Sequence, residues 1–540
     1  MASSRLPVLD ARPAHTEFPG VAVPRVLSIA GTDPTGGAGI QADLKSIGAA
    51  GGFGMSVVTS LVAQNTHGVR SVHTPPLQFL TEQLESVFDD VTVDAVKIGM
   101  LGDARTVALI SRWLEEHPVP VVVLDPVMIA TSGDRLLAED AEIAVRDLAT
   151  RADVVTPNLR ELGVLVGQPM ATDLDEALRQ AAGFAATHST TVIVKGGHLT
   201  GPQADNAVVT PDGTIHHVAS PRVDTPHTHG TGCSLSSALA TRLAAGEPVD
   251  KALAWSTRWL HEAIRHAAEL NVGTGTGPVD HFHRDRRLAA AASTRAWEHL
   301  ARPALDGSGP GQLVAPSPTP SPRARIAPAG PYTAALWEAT GGLWAEIMDL
   351  PFIRGLRDGT LPEEDFNFYL AQDAAYLNRY SRAQAHLSTI APDAEAQVDW
   401  ARGATDCIVA EKELHNSWLA HRDLPETGTS PVTLAYTDFL VASCHINPYV
   451  VGTATVLPCY WLYAEIGLEL AAHNHAGHPY RAWLDMYSSQ EFLDGTRRAI
   501  ARVEQGLVGA TVVERVQAAE AYLSACVHER EFFAQADRAW

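Results

Sequence analysis

A stretch rich in glycine, proline and serine, residues 306–331, separates two parts of the 540-residue chain whose hydrophobic patterns differ. Its runs, such as Ser-Pro-Thr-Pro-Ser-Pro, lack the apolar side chains that a core needs, so the composition predicts a mobile spacer. A chain of this length is also too long to fold around a single hydrophobic core. We therefore expect two folded domains, at 23–285 and 332–540, joined by a helical extension and linker over 286–331, with a disordered leader at 1–22.

The first domain alternates apolar runs of strand length with helical stretches. The runs cover residues 25–30, 56–62, 95–98, 120–124, 154–156 and 191–194. Strands that are apolar throughout and alternate with helices predict an α/β domain with a parallel sheet covered on both faces. Ligands of such sheets bind at the carboxyl ends of the strands. The residues just past those ends are therefore expected to meet in one crevice: Asp33, Gln64, Met100, Asp125, Asn158, Glu161 and Lys195.

A glycine turn, Thr228-His-Gly-Thr-Gly-Cys233, leads into an Ala/Leu/Ser run of helical character. The first N–H groups of a helix have no hydrogen-bond partner within the helix, and they lie at the positive end of the helix dipole. Such a turn is therefore suited to bind an anion. We expect Thr228, Gly230, Thr231 and Gly232 to hold a phosphate. Cys233 stands at the same helix end, where a thiolate is favoured and its pKa is expected to fall.

The polar residues of the crevice are suited to phosphoryl transfer, which depends on positioning and on charge neutralisation. Asp125 and Glu161 supply the oxygen ligands that Mg²⁺ prefers, directly or through water. Lys195 and Asn158 are expected to bind ATP phosphates. For each carboxylate taken singly, a solvated helix cap or a salt bridge is the alternative interpretation.

The order of these motifs resembles the hydroxymethylpyrimidine/phosphomethylpyrimidine kinases of thiamin synthesis. The matching segments are residues 31–43, 63–68, 97–101, 125–127, 156–161, 195–198 and 228–233. The resemblance implies a ribokinase-like fold, ATP and Mg²⁺ as cofactors, and two successive phosphorylations of the pyrimidine. It also implies that Cys233 takes the proton of the substrate hydroxyl, and that Asp33, Gln64 and Met100 bind the substrate, with Gln64 at the pyrimidine edge.

One segment departs from that family. The family often shows Gly-His-Gly-Pro before its final apolar segment, whereas here residues 271–277 read Asn-Val-Gly-Thr-Gly-Thr-Gly. A second substrate is also open, because this class of kinases overlaps vitamin B6 kinases in substrate shape. A kinase that acts mainly on pyridoxal is therefore the alternative.

After residue 331 the hydrophobic period changes to that of helices, and an all-α bundle is expected. Helical runs cover residues 405–420, 432–442, 449–472, 489–505 and 511–533. Asp373, Tyr376 and Tyr380 fall on one helix face, and Cys459 and Tyr463 on another. Inward-facing phenols and a carboxylate would form a pocket with aromatic walls, although such residues at helical spacing also occur in ordinary cores.

This second half resembles the TenA family, which includes thiaminase II and has a haem-oxygenase-like bundle. The matching segments are residues 361–373, 457–463, 480–488 and 529–533. The resemblance implies that Cys459 is a nucleophile toward the pyrimidine ring, that Asp373 binds the ring, and that Glu529 moves protons. It also implies that four tyrosines line the substrate pocket, where they stack on or hydrogen-bond the substrate and its neighbours: Tyr376, Tyr436, Tyr463 and Tyr487. The family usually follows its last glutamate with Phe-Trp, but here Phe532 and Phe533 follow, and Glu531 is the competing acid.

The composition disfavours several classes of binding partner. The net charge of −22 disfavours nucleic acid and anionic membranes, and no apolar run reaches the length of about 18 residues that a membrane span needs. Five scattered cysteines suit a reducing cytoplasm. Both resemblances suggest a homo-oligomer.

Together these patterns predict a bifunctional thiamin-pathway enzyme acting on small pyrimidines. The helical domain would release hydroxymethylpyrimidine from aminomethylpyrimidine or thiamin, and the kinase domain would phosphorylate it to the pyrophosphate. The alternative for the helical domain is a non-catalytic module that binds pyrimidines or thiamin.

Overall fold

The computed structural model describes residues 23–128, 139–301, 305–419 and 428–536. The leader predicted at 1–22 lies outside these residues. The chain divides into two compact units, Met1–Ala292 and Ser293–Trp540. Among the described residues, no helix combines the length and the apolar composition that crossing a bilayer would need.

The first unit is built on one nine-stranded sheet with the order β3-β2-β1-β4-β5-β6-β7-β8-β9. Its strands are β1 (Arg25–Gly31), β2 (Phe53–Asn65), β3 (Gly68–His73), β4 (Ala95–Ile98), β5 (Val121–Leu124), β6 (Val154–Val155), β7 (Thr191–Lys195), β8 (Asn206–Val209) and β9 (Ile215–Val218). Its helices are α1 (Gly39–Ala49), α2 (Leu77–Phe88), α3 (Ala104–Glu116), α4 (Glu139–Ala149), α5 (Leu159–Val166), α6 (Leu174–His188), α7 (Thr231–Ala244), α8 (Val249–Arg265) and α9 (His283–Ala291).

Helices cover both faces of this sheet, as the apolar strands predict. Along β1, Leu27 and Ile29 belong to the core that packs under α2 to α6, whereas Val26 belongs to the core under α7 and α8. All three side chains are fully buried. A strand buried on both faces has no polar side, which explains why these segments read as unbroken apolar runs.

The sheet is mixed rather than wholly parallel. The strands β2, β1, β4, β5, β6 and β7 are parallel neighbours, which confirms the α/β prediction for the six apolar runs. The three strands that the prediction missed are antiparallel: β3 pairs with β2 at one edge of the sheet, β8 pairs with β7, and β9 pairs with β8 at the other edge. Because β3 and β9 expose most of their side chains, their sequences lack the apolar signal that marks the central strands.

The second unit is all-helical, as predicted. Its helices are α10 (Glu298–Ala301), α11 (Pro331–Ala339), α12 (Gly341–Asp349), α13 (Pro351–Asp358), α14 (Glu363–Thr389), α15 (Ala394–Leu419), α16 (Pro431–Ile446), α17 (Tyr449–Leu470), α18 (Arg481–Tyr487), α19 (Gln490–Gly509) and α20 (Val512–Ala534). The central helix is α17, which packs against α14, α16, α18, α19 and α20. It is buried almost from end to end, so it can present side chains to the interior in several directions.

The segment predicted as a mobile spacer is packed against the helical unit. Leu313 and Ile326 are buried in its core at 2% exposure each. The backbone N–H groups of Arg325 and Ile326 donate to the two carboxylate oxygens of Glu465, at 3.0 and 2.8 Å. The expectation of a free spacer is therefore wrong for residues 305–331. A few single apolar anchors and one buried carboxylate hold a segment whose composition alone resembles a flexible linker.

Candidate functional site

In the first unit, Asp33 organises the glycine loop that follows β1. Its Oδ1 accepts from the backbone N–H and the hydroxyl of Thr35, and its Oδ2 accepts from the N–H groups of Gly37 and Ala38. The ring of His229 also lies 2.9 Å from Oδ2 through Nε2. Burial alone would raise the pKa of Asp33, but these bonds outweigh it and hold the pKa well below its usual range. Asp33 is thus an anionic centre that draws the loop together.

Gln64 and Met100, predicted to bind substrate, lie next to this loop. The Gln64 amide lies near Asp33 and helps to lower the pKa of that carboxyl, and a register shift between Ala63 and Gln64 marks its position near the end of β2. The Met100 side chain packs against Gly31, where an added Cβ would lie 2.5 Å from the methionine methyl carbon. The structure therefore brings Asp33, Gln64 and Met100 together at one end of β1 and β2.

The predicted anion turn faces the same loop. Gly230 adopts a left-handed conformation, φ +83°, and is the residue immediately before α7. A Cβ at this position would overlap the carbonyl oxygen of Gly37, so the two glycine turns touch through their backbones. The N-terminus of α7 consequently opens beside the Asp33 loop, with Thr231, Gly232 and Cys233 in its first turn.

Lys195 and Asp125 form a salt bridge beside this turn, with Nζ and Oδ1 2.9 Å apart. Thr156 donates to the same carboxylate at 3.1 Å, and a Cβ built on Gly232 would lie 3.5 Å from both the ammonium and the carboxylate. Lys195 is 14% exposed in its side chain and Asp125 is 3% exposed. The cation predicted for phosphate and the carboxylate predicted for metal thus meet directly under the anion turn.

Glu161 caps α5 while facing Asp125 and Lys195. Asn158 accepts from the N–H groups of Arg160 and Glu161, and Glu161 accepts from the N–H of Asn158 at 2.8 Å. This reciprocal pattern is a capping box, so the cap interpretation of these two residues is met in part. Burial raises the pKa of Glu161 to about 7, and the nearby Asp125 charge adds to the shift.

The donor set fits a divalent cation. Two buried carboxylates, Asp125 and Glu161, interact electrostatically while Lys195 supplies one compensating charge. Carboxylate oxygens and waters are the ligands that Mg²⁺ prefers. A bound cation would also remove the electrostatic cost that the raised pKa of Glu161 reports.

Cys233 differs from the sequence expectation. It is half-buried, and loss of water around it raises the pKa of its thiol to about 11, against the lowering influence of Lys97. The predicted fall of its pKa at the helix terminus is therefore wrong. The free energy lost when a thiolate is removed from water is larger than the stabilisation that the helix N-terminus provides.

Three residues of this site were quoted within motifs but received no role from the sequence. His229 joins the Asp33 loop to the anion turn. Lys97 and Asp43 form an ion pair of 2.7 Å, and both side chains are fully buried. A lysine inside an apolar strand was a signal that it has a buried partner of opposite charge, but the sequence does not say which residue that partner is.

The segment 271–277, which departs from the kinase family, contacts the turn between β2 and β3. Thr66 accepts from the N–H of Thr276 at 2.9 Å through its carbonyl oxygen, and the ring of His67 lies 2.9 Å from the Thr274 hydroxyl. Gly277 lies against the ring of His227, where a Cβ would overlap Nδ1. Glycines allow this close approach of backbone to neighbouring residues.

In the helical unit, Cys459 of α17 lies in a cluster of buried tyrosines. The thiol is half-buried and lies beside the Tyr376 hydroxyl, which favours its ionised form. Burial and the neighbouring Glu529 nevertheless raise the pKa of Cys459 well above its usual value. Asp373 of α14, 3% exposed, also interacts with this thiol electrostatically. The structure thus brings the predicted nucleophile, ring-binding carboxylate and proton carrier into one cluster.

Glu529 has the properties of a proton carrier. It is 1% exposed, and its Oε1 accepts from the Tyr436 hydroxyl at 2.6 Å. Its Oε2 has no hydrogen-bond partner within the described part of the chain. Burial raises the pKa of Glu529 to about 8, so the carboxyl is largely protonated at neutral pH. Glu531, the competing acid, pairs instead with Arg530 at 2.9 Å.

Aromatic rings pack closely around this cluster. The Tyr376 ring lies 5.1 Å from that of Tyr436 and 5.3 Å from that of Phe532. Tyr463 lies 4.8 Å from Tyr487 and 4.9 Å from Phe533. The four predicted tyrosines therefore belong to one aromatic cluster, and Phe532 and Phe533 of α20, the pair that departs from the family pattern, pack into it.

Comparison with known proteins gives the same division of the chain. The family model described as phosphomethylpyrimidine kinase matches residues 33–280, and the model described as the TENA/THI-4/PQQC family matches residues 337–539. The thiamine biosynthesis multifunctional protein ThiED of Corynebacterium efficiens is 63% identical over 521 residues, which cover 96% of this chain and 70% of that protein.

Two further relatives match the first unit alone. The hydroxymethylpyrimidine/phosphomethylpyrimidine kinase of Rhizobium meliloti is 46% identical over 259 residues, covering 48% of this chain and 97% of that protein. The crystal structure of an ADP complex of Bacillus subtilis pyridoxal kinase is 31% identical, with a TM-score of 0.44, and covers 49% of this chain and 100% of that one.

Proposed function

Because this chain belongs to the ThiED family of thiamine biosynthesis multifunctional proteins, we propose that its two sites act in sequence on one pyrimidine. The first unit is a hydroxymethylpyrimidine/phosphomethylpyrimidine kinase and the second is a TenA-family unit. The finer proposal is that the second unit produces 4-amino-5-hydroxymethyl-2-methylpyrimidine, which the first converts to its phosphate and pyrophosphate.

In the kinase site, Asp33, Gln64 and Met100 would bind the pyrimidine, and the α7 turn would bind the phosphoryl group of ATP. The Cys233 thiolate takes the proton of the substrate hydroxyl. The oxygen then forms its bond to the γ-phosphorus while the bond to the ADP oxygen breaks. Lys195 and the N–H groups of α7 stabilise the charge on the transferring group. Bound Mg²⁺, held by Asp125 and Glu161, would supply further neutralisation of phosphate charge.

The observation that supports this assignment most is the meeting of Lys195, Asp125 and Gly232 at the start of α7, one residue before Cys233. Its test is the ATP-dependent phosphorylation of hydroxymethylpyrimidine by Cys233→Ser, with Cys444→Ala as the control because Cys444 is a buried cysteine of the other unit. We expect a loss of at least about 100-fold in kcat for Cys233→Ser alone. Full activity in that variant would remove Cys233 from the mechanism.

In the helical site, the Cys459 sulfur adds to the pyrimidine ring, and its proton passes to the ring nitrogen that Asp373 holds. The carbon–nitrogen bond to the amine then breaks as Glu529 gives its proton to the leaving group. Water then adds at the vacated carbon and returns a proton to Glu529. The carbon–sulfur bond breaks, its electron pair goes to sulfur, and the proton that the ring nitrogen held restores the thiol. The supporting observation is the buried Glu529 carboxyl, whose Oε2 has no partner among the described residues and whose pKa of about 8 keeps a proton available.

The test of this site compares Glu529→Gln with Glu531→Gln, two changes of the same kind on the same helix. The first removes a proton donor that is held in its neutral form, and the second removes a carboxylate that is paired with Arg530. We expect ammonia release from 4-amino-5-aminomethyl-2-methylpyrimidine to fall about 100-fold or more only in Glu529→Gln. Equal effects of the two changes would contradict the role of Glu529. Binding of pyrimidines by the wild type without any ammonia release would instead identify a non-catalytic module.

We also propose that the protein works as a homo-oligomer in the cytoplasm. All five cysteines are free thiols, as a reducing compartment would keep them, and the net charge of −22 disfavours nucleic acid as a partner. Exposed apolar side chains cluster where α19 meets α20, with Val508 at 59% and Val513 at 65% exposure. Native mass spectrometry of the wild type tests the assembly; a monomer at micromolar concentration would contradict it.

A further inference from the structure

The short helix α10 and the tryptophan before it pack against α20. This connecting segment, residues 293–301, belongs to the helical unit. It lies between the ranges that the two family models match, 33–280 and 337–539. Neither family match therefore gives it a role, and its function has to follow from the contacts that it makes in this chain.

Two side chains of the connecting segment attach it to α20. The rings of Trp297 and His528 lie 5.0 Å apart, edge to face, with an angle of 86° between their planes. Nε2 of His299 lies 2.9 Å from the hydroxyl oxygen of Ser524. Because Ser524 and His528 are four residues apart on α20, they lie on one face of that helix. The connecting segment is thus attached to this face at two successive turns.

His528 connects this attachment to the cluster around Cys459. Its ring stacks on that of Tyr436, with the centroids 5.0 Å apart and the planes within 6° of parallel, and the ring of Phe439 also lies 5.0 Å away. Burial lowers the pKa of His528 to about 4, against the opposing influence of Glu531, so the ring is neutral at neutral pH. Aromatic pairs at these separations gain free energy beyond that of the area they bury. His528 is therefore a neutral ring packed among three others.

Tyr436 in turn orients the acid of the helical site. Its hydroxyl donates to Oε1 of Glu529 at 2.6 Å, and Glu529 follows His528 directly on α20. In a neutral carboxyl, the oxygen that accepts a hydrogen bond from a phenol is the carbonyl oxygen, so the proton of the acid lies on the other one. That oxygen, Oε2, has no hydrogen-bond partner within the described residues. The Tyr436 hydroxyl thereby leaves the proton on the oxygen that can deliver it.

We propose that Trp297 is a positioning residue of the amine-releasing site, which acts through the ring of His528 to hold Tyr436 against Glu529. This rests on the role of Glu529 proposed above. Without the indole, the His528 ring has room to turn away, and the Tyr436 ring that stacks on it loses that contact. The carboxyl of Glu529 then no longer keeps one orientation. The step itself is unchanged: the proton passes from Oε2 to the amine nitrogen, which takes the electron pair of the breaking carbon–nitrogen bond.

The test compares Trp297→Ala with Leu300→Ala in the full chain. Leu300 lies on α10 in the same segment and is 46% exposed, so its change removes apolar bulk at an exposed position. In Trp297→Ala we expect kcat for ammonia release from 4-amino-5-aminomethyl-2-methylpyrimidine to fall about tenfold, as a displacement of about 0.5 Å at the acid would produce. KM should stay within about twofold, because Asp373 on α14, which holds the ring, is left in place. Trp297→Phe keeps an aromatic ring at the position and should restore most of kcat.

A second pair of variants tests the ring of His528 itself. His528→Phe retains a stacked ring and should keep kcat within about twofold of the wild type, whereas His528→Ala should match the loss in Trp297→Ala. Phosphorylation of hydroxymethylpyrimidine by the kinase unit of the same chain is the internal control, and its rate should equal that of the wild type in every variant.

Equal values of kcat in Trp297→Ala and Leu300→Ala would overturn the role of Trp297. A rise in KM together with the fall in kcat, in a helical unit that melts at a lower temperature, would also overturn it and identify a merely structural residue. So would an equal loss in His528→Phe and His528→Ala, because a ring nitrogen rather than the stacked ring would then be required.

The outcome is separable from that of the proposed function. If Glu529→Gln loses ammonia release and Trp297→Ala does not, Glu529 keeps its role and Trp297 loses its own. If Glu529→Gln remains active, the assignment of Glu529 fails, and the role of Trp297 fails with it.

Discussion

The contact between the two glycine turns of the kinase unit gives the sharpest test of the geometry. Gly230 has φ +83°, and a Cβ there would stand against the Gly37 carbonyl oxygen deep inside the 3.0 Å that real Cβ atoms keep from other atoms. Gly213 offers a matched control in the same unit. It has nearly the same conformation, φ +85°, but an added Cβ would meet nothing within 4 Å.

The two alanine variants should therefore separate the cost of backbone strain, which both share, from the cost of steric overlap, which only Gly230→Ala has. A left-handed alanine costs about 1–2 kcal/mol, and this is the whole effect expected for Gly213→Ala. Gly230→Ala adds the overlap with backbone, which resembles overpacking at about 1–3 kcal/mol, for a total of about 2–5 kcal/mol. To relieve the overlap, the anion turn must move on the order of 1 Å, and a displacement of that size can lower the rate about 100-fold.

The assay combines scanning calorimetry with both activities. The kinase-unit transition should fall by about 2–4 °C per kcal/mol, so Gly230→Ala should melt clearly below Gly213→Ala. Its kcat/KM for pyrimidine phosphorylation should drop about 100-fold, while ammonia release by the helical unit is unchanged and serves as the internal control. Equal stability and equal kinase activity in the two variants would refute the contact between the turns.

Three further changes test other parts of the structure. Tyr436→Phe removes a bond that lowers the pKa of Glu529, so the midpoint of the pH–rate profile of ammonia release should shift upward from about 8; a downward shift would contradict the assignment. Gly277→Ala should raise KM for the pyrimidine by overlap with the His227 ring, and His227→Ala in the same chain should restore most of it. Glu465→Ala should cost about 1–3 kcal/mol and open the adjoining 305–331 segment to limited proteolysis, whereas unchanged cleavage would mean that the carboxylate does not hold it.

The sequence was sufficient for elements with a strong hydrophobic period. The six parallel strands were predicted because both faces of each are apolar, as at Leu27 and Val26 of β1. The edge strands were missed because β9 reads Ile-His-His-Val and exposes most of its side chains. The segment 305–331 was misjudged because its attachment depends on single residues, Leu313 and Ile326, that no periodic pattern reveals.

At the candidate sites, the sequence likewise does not reveal the pKa values and the pairing of the charged side chains. The glycine turn directed attention to Cys233, but the pKa of that thiol depends on how much water its neighbours exclude, which the helix end alone does not determine. Lys97 and Asp43 are 54 residues apart in the chain. Their pairing became visible only when β4 and α1 were placed side by side.

The central claim is that one chain makes the pyrimidine alcohol at Cys459 and phosphorylates it at Cys233. The most direct measurement incubates the full chain with 4-amino-5-aminomethyl-2-methylpyrimidine and follows ammonia and the pyrimidine products by mass, with and without ATP and Mg²⁺. We expect ammonia in both cases and the pyrimidine pyrophosphate only with ATP. Cys459→Ser should lose the ammonia yet still phosphorylate added hydroxymethylpyrimidine. Phosphorylation without ammonia release in the wild type would contradict the claim.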